Sequence, residues 1–127
     1  MKENVVVTIK NLDQKVPVEE NSAGTYHYKN NKHYCLLENG DRLILSEEAL
    51  SVRRKGVDLL FSMTQPFSCL YPTDFGSLPL TFDQVVIHAE EAEHELRISL
   101  TYRLSQGDNE VGKEELDISI RKASKQP

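Results

Sequence analysis

From Glu95 to Leu104 the chain alternates without a break: Leu96, Ile98, Leu100, Tyr102 and Leu104 share one parity, and Glu95, Arg97, Ser99, Thr101 and Arg103 share the other. A period of two places successive side chains on opposite faces of a β-strand, whereas a helix would scatter these apolar residues around its circumference. Beyond the turn-forming Gln106-Gly107-Asp108-Asn109 the pattern returns, with Leu116, Ile118 and Ile120 set against Glu115, Asp117, Ser119 and Arg121. Two strands of matched polarity joined by a short turn predict a C-terminal hairpin, one face of which must be covered.

The rest of the chain reads in the same way. Val5, Val7 and Ile9 alternate with Thr8 and Lys10 in a first strand over residues 4–10. Residues 13–23, with Pro17, Asp13, Glu19 and Glu20, predict a solvated, mobile connection. Over residues 24–46 the turn formers Asn30-Asn31 and Asn39-Gly40 divide the text into a three-stranded meander. With two-residue loops, Tyr26, Tyr28, His33, Cys35 and Ile44 share one face, and Thr25, His27, Tyr34, Leu36, Leu43 and Leu45 the other.

Ser46-Glu47-Glu48 makes a corner, after which two short runs test each other by register. A loop at Lys55-Gly56 sets Val52 opposite Leu59, Leu50 opposite Phe61 and Arg53 opposite Asp58, and leaves Arg54 on the inward face near a barrel end. In residues 65–82, Pro66, Pro72 and Pro79 predict interrupted strands, because proline cannot donate to a ladder. A strand resumes over Val85 to His88, an acidic turn follows at Glu90 to Glu93, and residues 123–127 form a frayed tail.

These runs amount to roughly eight to ten strands with short connections and no interleaved helices, which disfavours a parallel βαβ sheet. One domain over residues 1–127 is long enough to bury a core unaided. Consecutive hairpins favour a mostly up-and-down antiparallel barrel over a sandwich, because closure removes exposed strand edges. No apolar stretch has the length of a membrane span, and the opening MKENVVVTIKN has no long apolar region of a secretory signal. Twenty acidic against fifteen basic residues leave a formal charge of −5, whose field repels nucleic acid. Cys35 and Cys69 lie far apart in apolar segments and suit two reduced thiols, so the expected compartment is the cytoplasm.

VVVTIKN at the N-terminus, the aromatic GTYHYKNNKHYCLLE meander, RRKG followed by Phe61, Tyr71-Pro72-Thr73-Asp74-Phe75-Gly76, and the closing YRL…VG…LDISI hairpin together resemble the YwiB-like, or DUF1934, family of bacterial proteins. The likeness covers most of the chain. It implies a lipocalin-like, calycin-like antiparallel barrel in a bacterial cytoplasmic protein, in a family whose biochemical role is not established. Tyr71, Thr73, Phe75 and Gly76 match the family's central pattern, from which Asp74 departs, a proline being more usual after the threonine.

No motif for catalysis accompanies these strands. His33-x-Cys35 sets two possible metal ligands on one face, with Cys69 a conceivable third, but a closed zinc site needs four converging ligands and no second close pair exists. Neither metal nor cofactor is expected. Glu47-Glu48 and Glu90-Glu91 lie in polar stretches and read as surface charge, and the dispersed glycines form no phosphate-cradling loop. His27, Ser22 and Asp13, or His88, Ser99 and Asp117, lack the nucleophile elbow that would make a triad credible. The expectation is a protein that is not an enzyme.

The remaining constellation is aromatic. Tyr26, Tyr28, Tyr71 and Tyr102, with Arg54 near a barrel end, are the candidate ligand-binding residues: their rings and hydroxyls suit an amphipathic pocket, and the guanidinium suits a carboxylate or phosphate. Two alternatives stay open. The barrel binds a small amphipathic or anionic ligand in its interior, or its side chains fill the interior and it serves as a structural or protein-interaction barrel. The two partly apolar faces of the 24–46 meander also permit a homodimer.

Overall fold

In the computed structural model, which describes residues 3–12, 18–54 and 56–123, ten strands follow one another with no helix among the described residues. They are β1 (Glu3–Asn11), β2 (Val18–Lys29), β3 (Lys32–Leu37), β4 (Arg42–Leu45), β5 (Ala49–Arg54), β6 (Val57–Ser62), β7 (Phe67–Thr73), β8 (Gly76–Glu91), β9 (Glu95–Gln106) and β10 (Asn109–Lys122). All pairings are antiparallel, in the sheet order β6-β5-β4-β3-β2-β1-β10-β9-β8-β7. Apart from β6 with β7, each strand therefore pairs with its neighbours in sequence, and β1 pairs with β10 to join the two halves of the meander. The result is a nearly closed, lipocalin-like up-and-down barrel. Its seam lies between β6 and β7, where β6 packs against β7 and β8 without a ladder.

The alternation of Leu96, Ile98 and Leu100 builds the core as its period requires. Together with Val5, Val7, Cys35, Leu43, Leu45, Leu50, Ile118 and Ile120 they form one cluster. Leu50, Ile98, Leu100, Ile118, Val7 and Cys35 are each less than 2 % exposed. At the seam, rings take over from hydrogen bonds: Phe61 of β6 lies 4.8 Å from Phe82 of β8 and 4.9 Å from Tyr102 of β9, centroid to centroid. Such tilted contacts are favourable beyond the area they bury.

The 50–63 hairpin has the register its sequence dictates, with Val52↔Leu59, Leu50↔Phe61 and Arg53↔Asp58 opposed. The C-terminal hairpin likewise pairs Leu100↔Leu116, Ile98↔Ile118 and Leu96↔Ile120. Four other elements differ from the reading above. Leu36 pairs with Arg42, so Cys35 faces Leu43 instead of Ile44, and Leu43 and Leu45 turn inward. The cause is the turn: Gly40 N–H bonds Leu37 O at 3.0 Å and Leu37 N–H bonds Asp41 O at 2.9 Å, with Gly40 at φ +91°. A turn followed by a left-handed glycine inserts one more residue than a two-residue loop, and a one-residue slip exchanges the faces.

Residues 18–23, expected in a solvated connection, belong to β2 and pair with β1 as far as Val18↔Asn11. Their polarity suits the wet face of a strand: Asn21 Oδ1 accepts from Thr8 Oγ1 at 2.6 Å, and Glu19 lies 3.8 Å from Lys10. Residues 13–17 of that expected connection and 124–127 of the expected tail lie outside the described residues, while Ala123 N–H still bonds Asn4 O at 2.9 Å.

The prolines do not interrupt the strands. Pro72↔Ser77 and Leu70↔Pro79 are alternate pairs of the β7–β8 hairpin. In an antiparallel ladder every second pair exchanges no hydrogen bonds, so that parity tolerates both rings. Pro72 then turns its missing donor toward the seam, where β7 has no ladder to make. Thr73 closes the hairpin tip, its hydroxyl accepting from Phe75 N–H at 3.2 Å and donating to Gly76 O at 2.6 Å.

The expected acidic turn at Glu90 is displaced too. β8 runs to Glu91, because Glu90 faces Arg97 and Glu91 faces Leu96 across the ladder. A bulge between Asp83 and Val86, with Gln84 at φ +50°, turns Val85 inward, and Arg103 holds it by hydrogen bonds to both oxygens of Asp83.

Where β2 crosses β3, Gly24 leaves no room for a side chain: a Cβ would fall 2.4 Å from Leu36 O and 3.1 Å from Leu37 Cα. Both obstacles are backbone, so relief requires the two strands to separate. Gly24→Ala should therefore cost about 1–3 kcal/mol in urea unfolding, the range of overpacking. An unchanged midpoint would show that the strands are not in this close contact.

Candidate functional site

The inward faces of the strands are not filled evenly from end to end. The middle layers of the barrel are closed, whereas Val52, Leu59, Leu80, Leu104 and Leu116 toward one end are only partly buried. They wall a cavity of about 270 Å³ whose floor includes Phe61, Phe82, Leu100, Tyr102 and Ile118. Arg54, Asn11, Tyr71 and the hydroxyl-bearing Tyr102 bring polar groups to its lining.

Register explains each placement. Arg54 continues the inward parity of Leu50 and Val52, but it is the last residue of β5, so its guanidinium reaches the rim. Tyr71 occupies the inward parity of β7 after Phe67 and Cys69. Tyr102 is two residues beyond Leu100 on β9 and packs edge-on to Phe82 at 5.4 Å. At the rim Arg54 Nη2 donates to Glu20 Oε1, a contact between β5 and β2 that spans two intervening strands. Arg54 also borders a polar hollow lined by Glu20, Asn21, Ser22, Asn39 and Asp41.

Tyr26 and Tyr28 do not join this group. They point to the opposite end of the barrel, where Tyr26 Oη lies 2.7 Å from His33 Nδ1 and His33 Nε2 lies 3.2 Å from Glu91 Oε1. The Tyr28 ring packs on His33 at 4.8 Å. A carboxylate only accepts, so Nε2 carries the proton toward Glu91, and in the neutral imidazole Nδ1 accepts from the Tyr26 hydroxyl. The titration tendencies agree with this assignment. Burial lowers the His33 pKa against the opposing pull of Glu91, and burial, reinforced by Glu91, raises that of Tyr26.

The relay spends both ring nitrogens of His33. Cys35, two residues along the same face, lies in the core, where burial pushes its thiol up to about 11. A protonated thiol of this kind is neither nucleophile nor ligand at neutral pH. Among the described residues no three His, Cys, Asp or Glu side chains converge as metal ligands.

Three of the five sequence candidates, Arg54, Tyr71 and Tyr102, thus line one cavity, and Tyr26 and Tyr28 belong to a separate cluster. Asn11, Glu20 and Glu91 escaped the sequence reading. Glu20 could be found only by extending β2 back along β1, and Glu91 only by knowing which strands face each other across the barrel.

The family model described as a domain of unknown function, DUF1934, matches residues 4–118. The chain belongs to this family. Among solved structures, the ywiB protein from Bacillus subtilis resembles this DUF1934 protein with a TM-score of 0.75 and 20% sequence identity, over 97% of this chain and 94% of that one. At that identity the likeness shows a common fold. No curated protein matches the chain.

The relay sets a pH dependence. Because burial holds His33 below its ordinary value of 6.5, the unfolded chain binds more protons than the folded one between the two values. Stability must therefore fall as pH drops through 6.5 toward the folded value, and level off below it. In His33→Gln this part of the pH profile of urea unfolding should flatten. An identical slope in the variant would remove His33 as its source.

Proposed function

We propose that this DUF1934 protein is a non-enzymatic binding barrel that takes a small amphipathic anion into the cavity at the Arg54 end. The observation that carries this reading is the uneven interior: a closed middle, then a hollow of about 270 Å³ with apolar walls and a cation at its rim. An apolar pocket with few convergent polar groups is the general form of a small-molecule site. The two free cysteines and the net charge of −5 favour a cytoplasmic protein that avoids nucleic acid.

Anilinonaphthalene sulfonate, an apolar ring system with one anionic group, is a suitable first probe. It should bind with enhanced fluorescence and raise the melting temperature. Leu104→Trp, which fills the cavity from its wall, should reduce that binding at least tenfold while the far-ultraviolet spectrum stays that of the barrel. Undiminished binding in that variant, or none in the wild type, would refute an interior site.

A second reading, a protein-interaction or structural barrel that forms homodimers, has its own observation. Phe75 at the tip of the β7–β8 hairpin is fully exposed, and Leu70 on the same hairpin is 68% exposed. Residues 67–82 carry a single charged side chain, Asp74, so little charge opposes contact between two such hairpins. If this hairpin joins two copies, sedimentation should give a dimer that Phe75→Ser dissociates. A monomer at every concentration would exclude the homodimer.

A further inference from the structure

The rim of the cavity already holds a carboxylate. Arg54 Nη2 donates to Glu20 Oε1 across the mouth, with the two side chains 36% and 49% exposed. Glu20 reaches this place because the β1–β2 register puts it opposite Ile9, on the inward parity of β2. Arg54 borders both the apolar cavity and the rim hollow, so its planar fork stands at the junction between them. The guanidinium there is partly hydrated, and Glu20 supplies it with an acceptor from the protein itself.

Building on the interior-site reading, we infer that the ligand is a medium-chain monocarboxylate and that Glu20 is its internal competitor, holding Arg54 when the cavity is empty and released when a ligand carboxylate takes its place. The class of head group follows from the occupant, since the geometry that accepts one carboxylate accepts another. The tail follows from volume. A cavity of about 150 Å³ suffices for benzene, so the hollow of about 270 Å³ holds roughly ten carbon atoms on the same scale. Release of Glu20 is inexpensive, because an ion pair this exposed is held weakly and its carboxylate passes into water.

Calorimetric titration of the full chain with decanoate and with 1-decanol tests the inference. Decanoate should bind the wild type, and Glu20→Gln should bind it about two- to fivefold more tightly, the range expected for removing one exposed ionic competitor. Arg54→Gln should lose at least tenfold for decanoate, as expected for a charge-assisted hydrogen-bonded pair. Binding of 1-decanol, which lacks the charge, should respond to neither substitution. Glu20→Ala repeats the test with a second side chain, and thermal melts confirm that each variant is folded.

The failures are distinguishable. If 1-decanol or anilinonaphthalene sulfonate binds but decanoate gains nothing from Arg54, or Glu20→Gln and Glu20→Ala leave its affinity unchanged, the competitor is refuted and the interior site stands. If none of the three probes binds, both readings fall together.

Discussion

The pairing of β1 with β10 is the constraint on which the rest of the barrel depends. Without it the chain would be two meanders, β1 to β6 and β7 to β10, each with a long unpaired edge. Val7↔Ile120 and Ile9↔Ile118 lock the two halves so that the inward parity of one continues that of the other. A one-residue slip here would turn Val5, Val7 and Ile9 to water in a single step. The N-terminal strand is thus held on both sides, by β10 and by β2, and the close approach at Gly24 belongs to the same layer, opposite Val5.

Closure by β1 and β10 moves the remaining discontinuity to β6 and β7, and that position shapes the cavity. A seam without a ladder must be held by side chains, and Phe61, Phe82 and Tyr102 meet there as a set of tilted rings. Beyond these rings, toward Arg54, the partly buried Val52, Leu59, Leu80, Leu104 and Leu116 wall the hollow. The same aromatic cluster therefore seals the seam and forms the cavity floor. Met63, just past β6, accepts a hydrogen bond from Ile87 N–H at 3.4 Å, which satisfies a β8 donor on the seam side.

Local periodicity made most of this fold legible. The 50–63 and C-terminal hairpins could be registered from sequence because hydrophobic and charged pairs agreed on one solution, as with Val52↔Leu59 beside Arg53↔Asp58. The 24–46 meander was less determined because Ile44 and Leu43 are interchangeable as inward residues, and one glycine in the left-handed region decided between them. Asn21 and Glu19 read as loop because polarity alone does not separate a solvated loop from the wet face of a strand. For the site, parity placed Arg54 and Tyr102 inward, whereas Tyr71 lay in a proline-broken stretch without a readable parity, and parity has no information about which end of the barrel a residue occupies. That depends on strand direction and stagger, so the sequence could not show that Tyr26 and Tyr28, on a meander whose buried face it left open, lie at the end away from Arg54.

The two ends have opposite characters for a reason visible in their polar groups. At the Tyr26 end, hydroxyl, imidazole and carboxylate form a chain in which each donor meets an acceptor, from β2 and β3 to β8 on the far side of the ring. A satisfied chain of this sort has no donor left for a ligand and works as a tie between facing walls. At the Arg54 end a guanidinium with five donors donates from Nη2 to Glu20 Oε1. The Tyr26 end has hollows of its own, one beside Tyr26 and Glu91 and one beside Tyr28 and His33, so what sets the Arg54 end apart is a guanidinium bordering apolar walls. On the binding-barrel reading, an anion is favoured at the Arg54 end by the guanidinium and disfavoured beside Glu91 at the opposite end.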